Sequence, residues 1–200
     1  VAIIPEGTIE IGENAFQDCT FLESVTIPES VIEIGGYAFD GCTSLRSITI
    51  PDGIEKIGIK AFRDCKSLKS VTIPESVTSI GGHAFANCSG LNTITFNAIN
   101  CVNMVTMENN VPMPAFENKA LSAINFGNNV EIIGGSAFKN CISLTEVTIA
   151  DGVDVIGGLA FFGCESLTEI TIPKSVTIIG DNAFSNCTSL GKAIILDSEI

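Results

Sequence analysis

The sequence predicts an α/β solenoid of about eight 23-residue repeats, built from a parallel sheet of short strands and from short helical turns. The dipeptide Ala-Phe occurs eight times, and six of the seven intervals between its copies are 22 or 23 residues long. A period of this length is typical of stacked repeats, in which each unit packs on its neighbours. We therefore expect one array over residues 1–200, regular over 1–96 and 127–200 and irregular, with an insertion, over 97–126.

The first element of the repeat is a strand. In the unit around Phe62, Ile48 and Ile50 alternate with Ser47 and Thr49, which is the pattern of a strand with one buried face. Equivalent strands of successive repeats are expected to pair at about 4.8 Å in a parallel sheet. The Pro-Asp-Gly that follows predicts the end of the strand, because proline cannot donate to the ladder and this tripeptide favours a turn.

A glycine and an Ala-Phe-x-x-Cys segment make up the rest of the repeat. Ala61, Phe62 and Cys65 are spaced like the inner face of a single helical turn. Glycine stands four residues before phenylalanine in seven of the eight units, which indicates a positive φ or a close backbone approach. The residue two positions after phenylalanine is always Asp, Asn or Gly, the types that tolerate the left-handed conformation at the end of a turn.

The recurring Leu-x-x-Ile-Thr-Ile-Pro and Ile-Gly-x-x-Ala-Phe-x-x-Cys segments resemble the BspA-like leucine-rich repeats, a bacterial and protozoan cell-surface family. The resemblance covers the chain except residues 97–115. It implies a leucine-rich-repeat solenoid in an extracellular or surface-anchored protein that adheres to host or neighbouring-cell proteins. It implies no catalytic residue, so we predict that the chain is not an enzyme and uses no cofactor.

The charge and hydropathy of the chain exclude two classes of partner. The net charge is −13 and the pI about 4.3, so the field of the protein repels phosphate backbones and we expect no nucleic-acid binding. The unbroken apolar runs are only a few residues long, so we expect no membrane insertion. The chain also begins and ends on repeat sequence. Since solenoids need polar caps, we expect it to belong to a longer protein or to have lost a leader and caps.

Cysteines recur at one repeat position and could indicate disulfides or a metal site. The seven repeat cysteines are Cys19, Cys42, Cys65, Cys88, Cys141, Cys164 and Cys187. Stacked in a row at about 4.8 Å, they lie too far apart for the roughly 3.8 Å between the Cβ atoms of a disulfide, and they do not converge as zinc ligands do. We predict free buried thiols that pack as small hydrophobic groups. Cys101 lies off this row and is either a reactive thiol or, as we favour, a buried loop thiol.

Two further polar features have simple structural interpretations. His83 is the only histidine, at a repeat position whose residue type varies freely, and we predict that it is a surface residue. An acidic row, represented by Glu29, Asp52 and Glu75, follows the strands. Calcium requires six to eight converging oxygens, whereas this row supplies one carboxylate per repeat, so we predict a solvated turn.

The outward strand positions form two rows of mostly hydroxyl side chains, which become charged toward the C-terminus. We predict that they form a surface that binds a protein of the host extracellular matrix or of a neighbouring cell. The candidate residues are Ser24, Thr26, Ser47, Thr49, Ser70, Thr72, Thr93, Thr95, Asn125, Glu146, Thr148, Glu169 and Thr171. Two alternatives remain: a structural spacer whose threonines are simply good exposed strand residues, and an ice-binding face, which requires a flat and regular array.

The break in the period is the second candidate site. The interval from Phe96 to Phe116 is eight residues longer than in a regular unit, and this region carries all three methionines, Met104, Met107 and Met113. Loops on rigid scaffolds often carry function, and methionines make adaptable contacts. We predict that this loop modifies the adhesive surface or hinges two half-arrays; a degenerate repeat that merely bulges is the alternative.

A third feature is a row just before the inward isoleucines, which becomes apolar at Ile132, Val155 and Ile178. These side chains form either a small exposed patch for self-association or a contact that adjacent loops partly cover.

Overall fold

The computed structural model describes residues 1–102, 104–108 and 111–196, in which the chain winds into a stack of coils. We number the coils 1–8 by their Ala-Phe phenylalanines; each runs from its first strand to the residue before the next coil. In chain order the strands are β1 (Ala2–Ile3), β2 (Glu10–Ile11), β3 (Ser24–Thr26), β4 (Glu33–Ile34), β5 (Ser47–Ile48), β6 (Lys56–Ile57), β7 (Ser70–Ile73), β8 (Ser79–Ile80), β9 (Thr93–Phe96), β10 (Val105–Glu108), β11 (Val111–Pro114), β12 (Ala123–Phe126), β13 (Ile132–Ile133), β14 (Glu146–Thr148), β15 (Val155–Ile156), β16 (Glu169–Ile172), β17 (Ile178–Ile179) and β18 (Lys192–Ile195).

Parallel pairing of equivalent strands builds two sides of the solenoid. The first side comprises the sheets β1-β3-β5, β7-β9-β12-β14 and β16-β18, and its outward surface is called the strand face below. The second side comprises the sheets β2-β4-β6-β8 and β13-β15-β17. Register follows the repeat, so that Ser70 lies opposite Thr93 and Thr72 opposite Thr95. The predicted parallel sheet of short strands is therefore confirmed.

A ladder of phenylalanine rings runs through the core. The eight Ala-Phe rings stack on one another with centroids 5.0–5.7 Å apart and interplanar angles of 1–13°. Phe96 and Phe126 meet the ladder edge-on at 5.7–6.4 Å. Rings in offset-stacked or edge-on contact contribute about 0.5–1.5 kcal/mol per pair beyond their burial. The phenylalanines that mark the repeat in the sequence therefore also form the centre of its core.

The predicted short helical turns are wrong: the described residues contain no helix. A helix needs consecutive right-handed residues, whereas Tyr37 and Asp64, two positions before and two after a ladder phenylalanine, have φ of 56° and 58°. Every second amide donates to the next coil instead, as Phe39 N does to Ala61 O at 2.7 Å. The amides between them close four-residue β-turns, as Cys42 N does to Phe39 O at 3.2 Å. The fold is therefore all-β with a third side of linked turns.

The repeat cysteines are free thiols, as predicted, and those of coils 2–4 and 6–8 are buried. Each of these six thiols also donates to the phenylalanine carbonyl of the preceding coil, with Sγ···O distances of 2.9–3.4 Å. They therefore do more than fill space, because they satisfy buried carbonyl oxygens. Cys19 is exposed, so the predicted burial is wrong for this one repeat cysteine, whereas Cys101 is buried as expected.

We expect a thiol reagent to modify Cys19 first in the folded protein, because it is the exposed cysteine of the repeat row. Burial raises the pKa of Cys88, Cys101 and Cys141 to about 12, so at about pH 8 these groups are protonated as well as covered. The reaction is followed spectrophotometrically with an aromatic disulfide reagent, and peptide mapping identifies the site. In denaturant all eight cysteines should react. Fast modification of several thiols in the native protein would contradict the buried ladder.

The insertion in coil 5 forms a β-hairpin. Strands β10 and β11 pair antiparallel, with Val105 opposite Pro114 and Thr106 opposite Met113. The hairpin is bound to coil 4, because Gly82 N donates to Thr106 Oγ1 at 2.7 Å and His83 N to Pro114 O at 2.8 Å. The hairpin therefore lies on the side of the linked turns.

The stack continues past the hairpin without a break. Strand β9 of coil 5 pairs with β7 on one side and with β12 on the other. The ladder rings Phe85, Phe116 and Phe138 are spaced at 5.1 and 5.0 Å. These contacts argue against the predicted hinge between two half-arrays, because hinge motion would have to break a paired sheet and a packed core.

Candidate binding surface

The strand face is formed by alternate residues of the strands on the first side of the solenoid. In β7, Val71 and Ile73 point into the core and are buried, while Ser70 and Thr72 are exposed. The other predicted strand-face residues are likewise exposed or half-buried, so all of them are available to a partner. This alternation follows from the two-residue period of a pleated strand with one buried face.

A seam divides the strand face between coils 3 and 4. Strands β5 and β7 belong to different sheets, whereas β7 pairs with β9 through four residues. A second seam separates β14 from β16. The hydroxyl rows are therefore in register over short stretches and do not form one continuous lattice, which weighs against the ice-binding alternative.

A groove with a volume of about 720 Å³ lies on the strand face at the first seam. Four of the predicted binding residues line it, namely Ser47, Thr49, Ser70 and Thr72. Hydroxyl groups can both donate and accept hydrogen bonds, so this floor can match many polar partners. The seam thus turns part of an even surface into a concave site.

Carboxylates line one end of the groove, at the turns that come after strands β5 and β7. Asp52 of coil 3 and Glu75 of coil 4 line this end together with Asn97 of coil 5. Glu75 is held in place, because Asn129 Nδ2 donates to its Oε1 at 2.8 Å. The acidic row is predicted from the sequence to be a solvated turn, and these three residues are not among the predicted binding residues. The signal that could have found them is the missing Pro-Glu turn of coil 5, where Asn97 and Ala98 replace it and Ala98 is buried.

The strand face has a different character near the C-terminus. There Glu146 and Glu169 replace the serines of coils 2–4, and both are exposed. Glu169 Oε2 pairs with Lys192 Nζ at 3.0 Å on the next strand. Because such exposed pairs contribute about 0–1 kcal/mol, this part of the face can exchange its internal contact for one with a partner at little cost.

The candidate loop is mostly inaccessible. Met104 and Met113 are buried in the core, and only Met107 is exposed, at 61% of its surface. No described residue of the hairpin lines the groove of the strand face. A partner can therefore contact only one of the three methionines, and on a different side from the hydroxyl rows.

His83 is more constrained than its variable repeat position suggests. Its φ is 57°, and its Nε2 lies 2.9 Å from Glu117 Oε2 beside the hairpin. Asn140 Nδ2 donates to the other oxygen of the same carboxylate at 3.2 Å. Over the residues that the structure describes, no group of three or more His, Cys, Asp or Glu side chains is arranged to hold a metal ion. Nor does the described part of the chain contain a helix long and apolar enough to cross a membrane.

The apolar row on the second side is partly covered. Ile132, Val155 and Ile178 lie side by side in the sheet β13-β15-β17. Ile178 is 55% exposed, while Ile132 and Val155 are half-buried. The row is thus a narrow stripe and not a broad apolar patch.

The period, the paired strands on two sides and the Phe and Cys ladders all recur from coil to coil. A family model for the BspA-type leucine-rich repeat region matches residues 2–108 and 109–199, in six copies. The chain belongs to this family. No protein among the curated sequences matches it.

Solved structures show similar solenoids in bacterial proteins. A leucine-rich cell-surface protein from Faecalibacterium prausnitzii is 29% identical with a TM-score of 0.54, and the match covers 99% of this chain and 60% of that protein. A leucine-rich repeat protein from Eubacterium ventriosum is 27% identical with a TM-score of 0.65, over 88% of this chain and 44% of that one. A leucine-rich repeat protein of T. pallidum is 31% identical with a TM-score of 0.61, over 95% and 78%. This chain thus spans 60% and 44% of the first two proteins.

Proposed function

We propose that this BspA-type array is a non-catalytic protein-binding module of a cell-surface or secreted protein, and that it serves in adhesion. The observation that carries the proposal is the groove of about 720 Å³ on the strand face, lined by hydroxyls and carboxylates. Leucine-rich repeat proteins of this kind generally bind other proteins and are not enzymes. The surface location rests on the similarity to a protein described as a cell-surface protein.

The partner should present lysine or arginine side chains to the groove. Asp52 and Glu75 can each accept charge-assisted hydrogen bonds, and Glu75 is already oriented by Asn129. The net charge of −13 favours the approach of a basic surface over a long range. The serine and threonine hydroxyls then contact backbone groups of the bound segment. A host extracellular-matrix protein with a basic loop fits this chemistry.

An arginine placed in the groove should weaken this binding strongly. We expect Thr72→Arg to weaken binding to immobilised extracellular-matrix proteins by more than about tenfold, because a long cation fills the groove and repels the basic loop. Surface plasmon resonance against a panel of such proteins measures the effect. The matched control is Thr148→Arg, which adds the same charge to an exposed position of the strand face outside the groove.

The same experiment tests the spacer alternative. If the array only holds another domain away from a surface, the isolated chain will bind no member of the panel and neither substitution will matter. Equal loss in both variants would instead assign the effect to net charge and would reject the groove. Circular dichroism verifies that both variants keep the fold.

A further inference from the structure

A basic edge lies on this acidic protein at the turns that lead into the strand face. Arg46, Lys66 and Lys69 line a pocket of about 330 Å³ together with the hydroxyl-bearing Ser44 and Ser67. Three of the ten cationic side chains of the chain are thus gathered within two neighbouring coils. The pocket is separate from the groove of the strand face, since the two share no lining residue.

The cations of the basic edge are available to an anionic ligand. Lys66 and Lys69 make no ion pair with the residues that the structure describes. Arg46 lies 3.7 Å from Glu23, and both side chains are more than half exposed. Such an exposed pair contributes at most about 1 kcal/mol, so a ligand can replace it. The nearby carboxylate of Asp64 is 3.6 Å from the guanidinium of Arg63.

Two further residues extend the row of the basic edge along the solenoid axis, one on each side. Lys119 lines the next pocket, of about 300 Å³, together with Asn87 and Ser89. On the other side, Phe21 occupies in coil 1 the repeat position of Ser44 and Ser67. At about 4.8 Å per coil, the row from Phe21 to Lys119 spans four coil steps, roughly 19 Å.

Phe21 is the most unusual residue of the row. It is 93% exposed, whereas the ladder phenylalanines are buried or half-buried. An exposed aromatic ring one coil before the cations supplies a flat apolar surface of the kind on which the C–H face of a sugar ring packs. In the same row, hydroxyl and amide side chains can bond to sugar hydroxyls.

We propose that the basic edge binds a linear polysaccharide that carries sulfate groups. Arg46 and Lys69 stand at equivalent positions one coil apart, with Lys66 in the same coil as Lys69 and Lys119 two coils on. These cations match a chain that carries several anions, the hydroxyls match its sugars, and Phe21 matches a ring face. An acidic peptide would use the cations but has no sugar ring for Phe21. A nucleic acid duplex presents phosphates and base edges, and its base faces are stacked inside the helix, so it too lacks a ring face for Phe21.

The test uses heparin as the probe, with the whole 200-residue chain at low ionic strength. We expect Lys66→Thr combined with Lys69→Thr to weaken heparin binding about tenfold or more. Threonine stands at the equivalent positions of other coils, as Thr43 and Thr145, so the variant should fold. Phe21→Ser introduces the residue of Ser44 and should weaken binding about threefold to tenfold.

The control removes the same charge elsewhere, by combining Lys139→Thr with Lys174→Thr, and should leave heparin binding within about twofold. Equal losses in the two double variants would overturn the proposal, because net charge alone would then explain the affinity. Desulfated heparin should not compete. Competition by polyglutamate as strong as that by heparin would also overturn it, and would identify an acidic protein as the ligand.

Discussion

Replacing Phe62 with alanine will lower the free energy of unfolding by about 3–5 kcal/mol. The Phe62 ring is fully buried and stacks between Phe39 and Phe85, with centroids 5.3 and 5.1 Å away. Its removal leaves a cavity between two coils whose backbones are joined by hydrogen bonds, so the neighbours cannot collapse into the space. Urea unfolding followed by circular dichroism measures the change.

The matched control for Phe62→Ala is Phe21→Ser. Phe21 is 93% exposed and belongs to no stack, so its replacement should change stability by less than about 0.5 kcal/mol. Phe16→Ala should fall between these extremes, because Phe16 is half-buried and stacks on Phe39 alone. A loss below about 1 kcal/mol for Phe62→Ala would show that the ladder is not the main source of stability.

The architecture could be predicted because every coil repeats the same physical pattern. Alternation in Ser47–Ile50 specifies one buried strand face, and the 23-residue period places equivalent residues side by side. Register then follows without further information, as the pairing of Ser70 with Thr93 shows. The same logic explains why the repeat cysteines form a row and no disulfides.

The turn segment could not be predicted in the same way. Ala61, Phe62 and Cys65 have the spacing of one helical turn, and a single turn has too few residues for periodicity to separate it from linked β-turns. Positive φ at Lys60, Tyr37 and Leu159 decides the question, although these residue types do not favour that conformation. The hydrogen bonds to the adjacent coil hold them there, as Lys60 N donates to Gly82 O at 3.0 Å. Long-range pairing thus overrides local preference.

The candidate site, too, could be predicted only in part. The hydroxyl rows could be predicted from the alternation along each strand. The groove could not, because it lies where β5 and β7 belong to different sheets, and the strand residues of these two coils have the same pattern as the others. Asn129 and Glu75 meet although they are 54 residues apart, because coil 5 turns inward between them. In the insertion, Met104 and Met113 look like loop residues in the sequence and pack in the core instead.

Gly81→Ala is the second substitution with a large expected effect. A Cβ atom at this position would lie 2.6 Å from Ile59 Cα and 2.7 Å from the Gly58 carbonyl carbon, and it would also meet Ile59 N. All three are backbone atoms of the preceding coil, so they cannot rotate away as a side chain would. The coils must separate locally and strain the Gly81 N to Ile57 O hydrogen bond of 2.8 Å. We expect a loss of about 3 kcal/mol in the free energy of unfolding, measured in urea.

Gly12→Ala at the same repeat position should have the opposite sign. A Cβ atom on Gly12 meets nothing within 4 Å, and its φ is not in the left-handed region. Alanine then restricts the unfolded chain without strain and should stabilise the fold by about 0.4–1 kcal/mol. A loss of stability for Gly81→Ala together with a gain for Gly12→Ala would show why glycine recurs at this position. The reason would be the close backbone of the neighbouring coil and not the φ of the glycine itself. If both variants lose stability equally, close packing between coils is not what excludes a side chain.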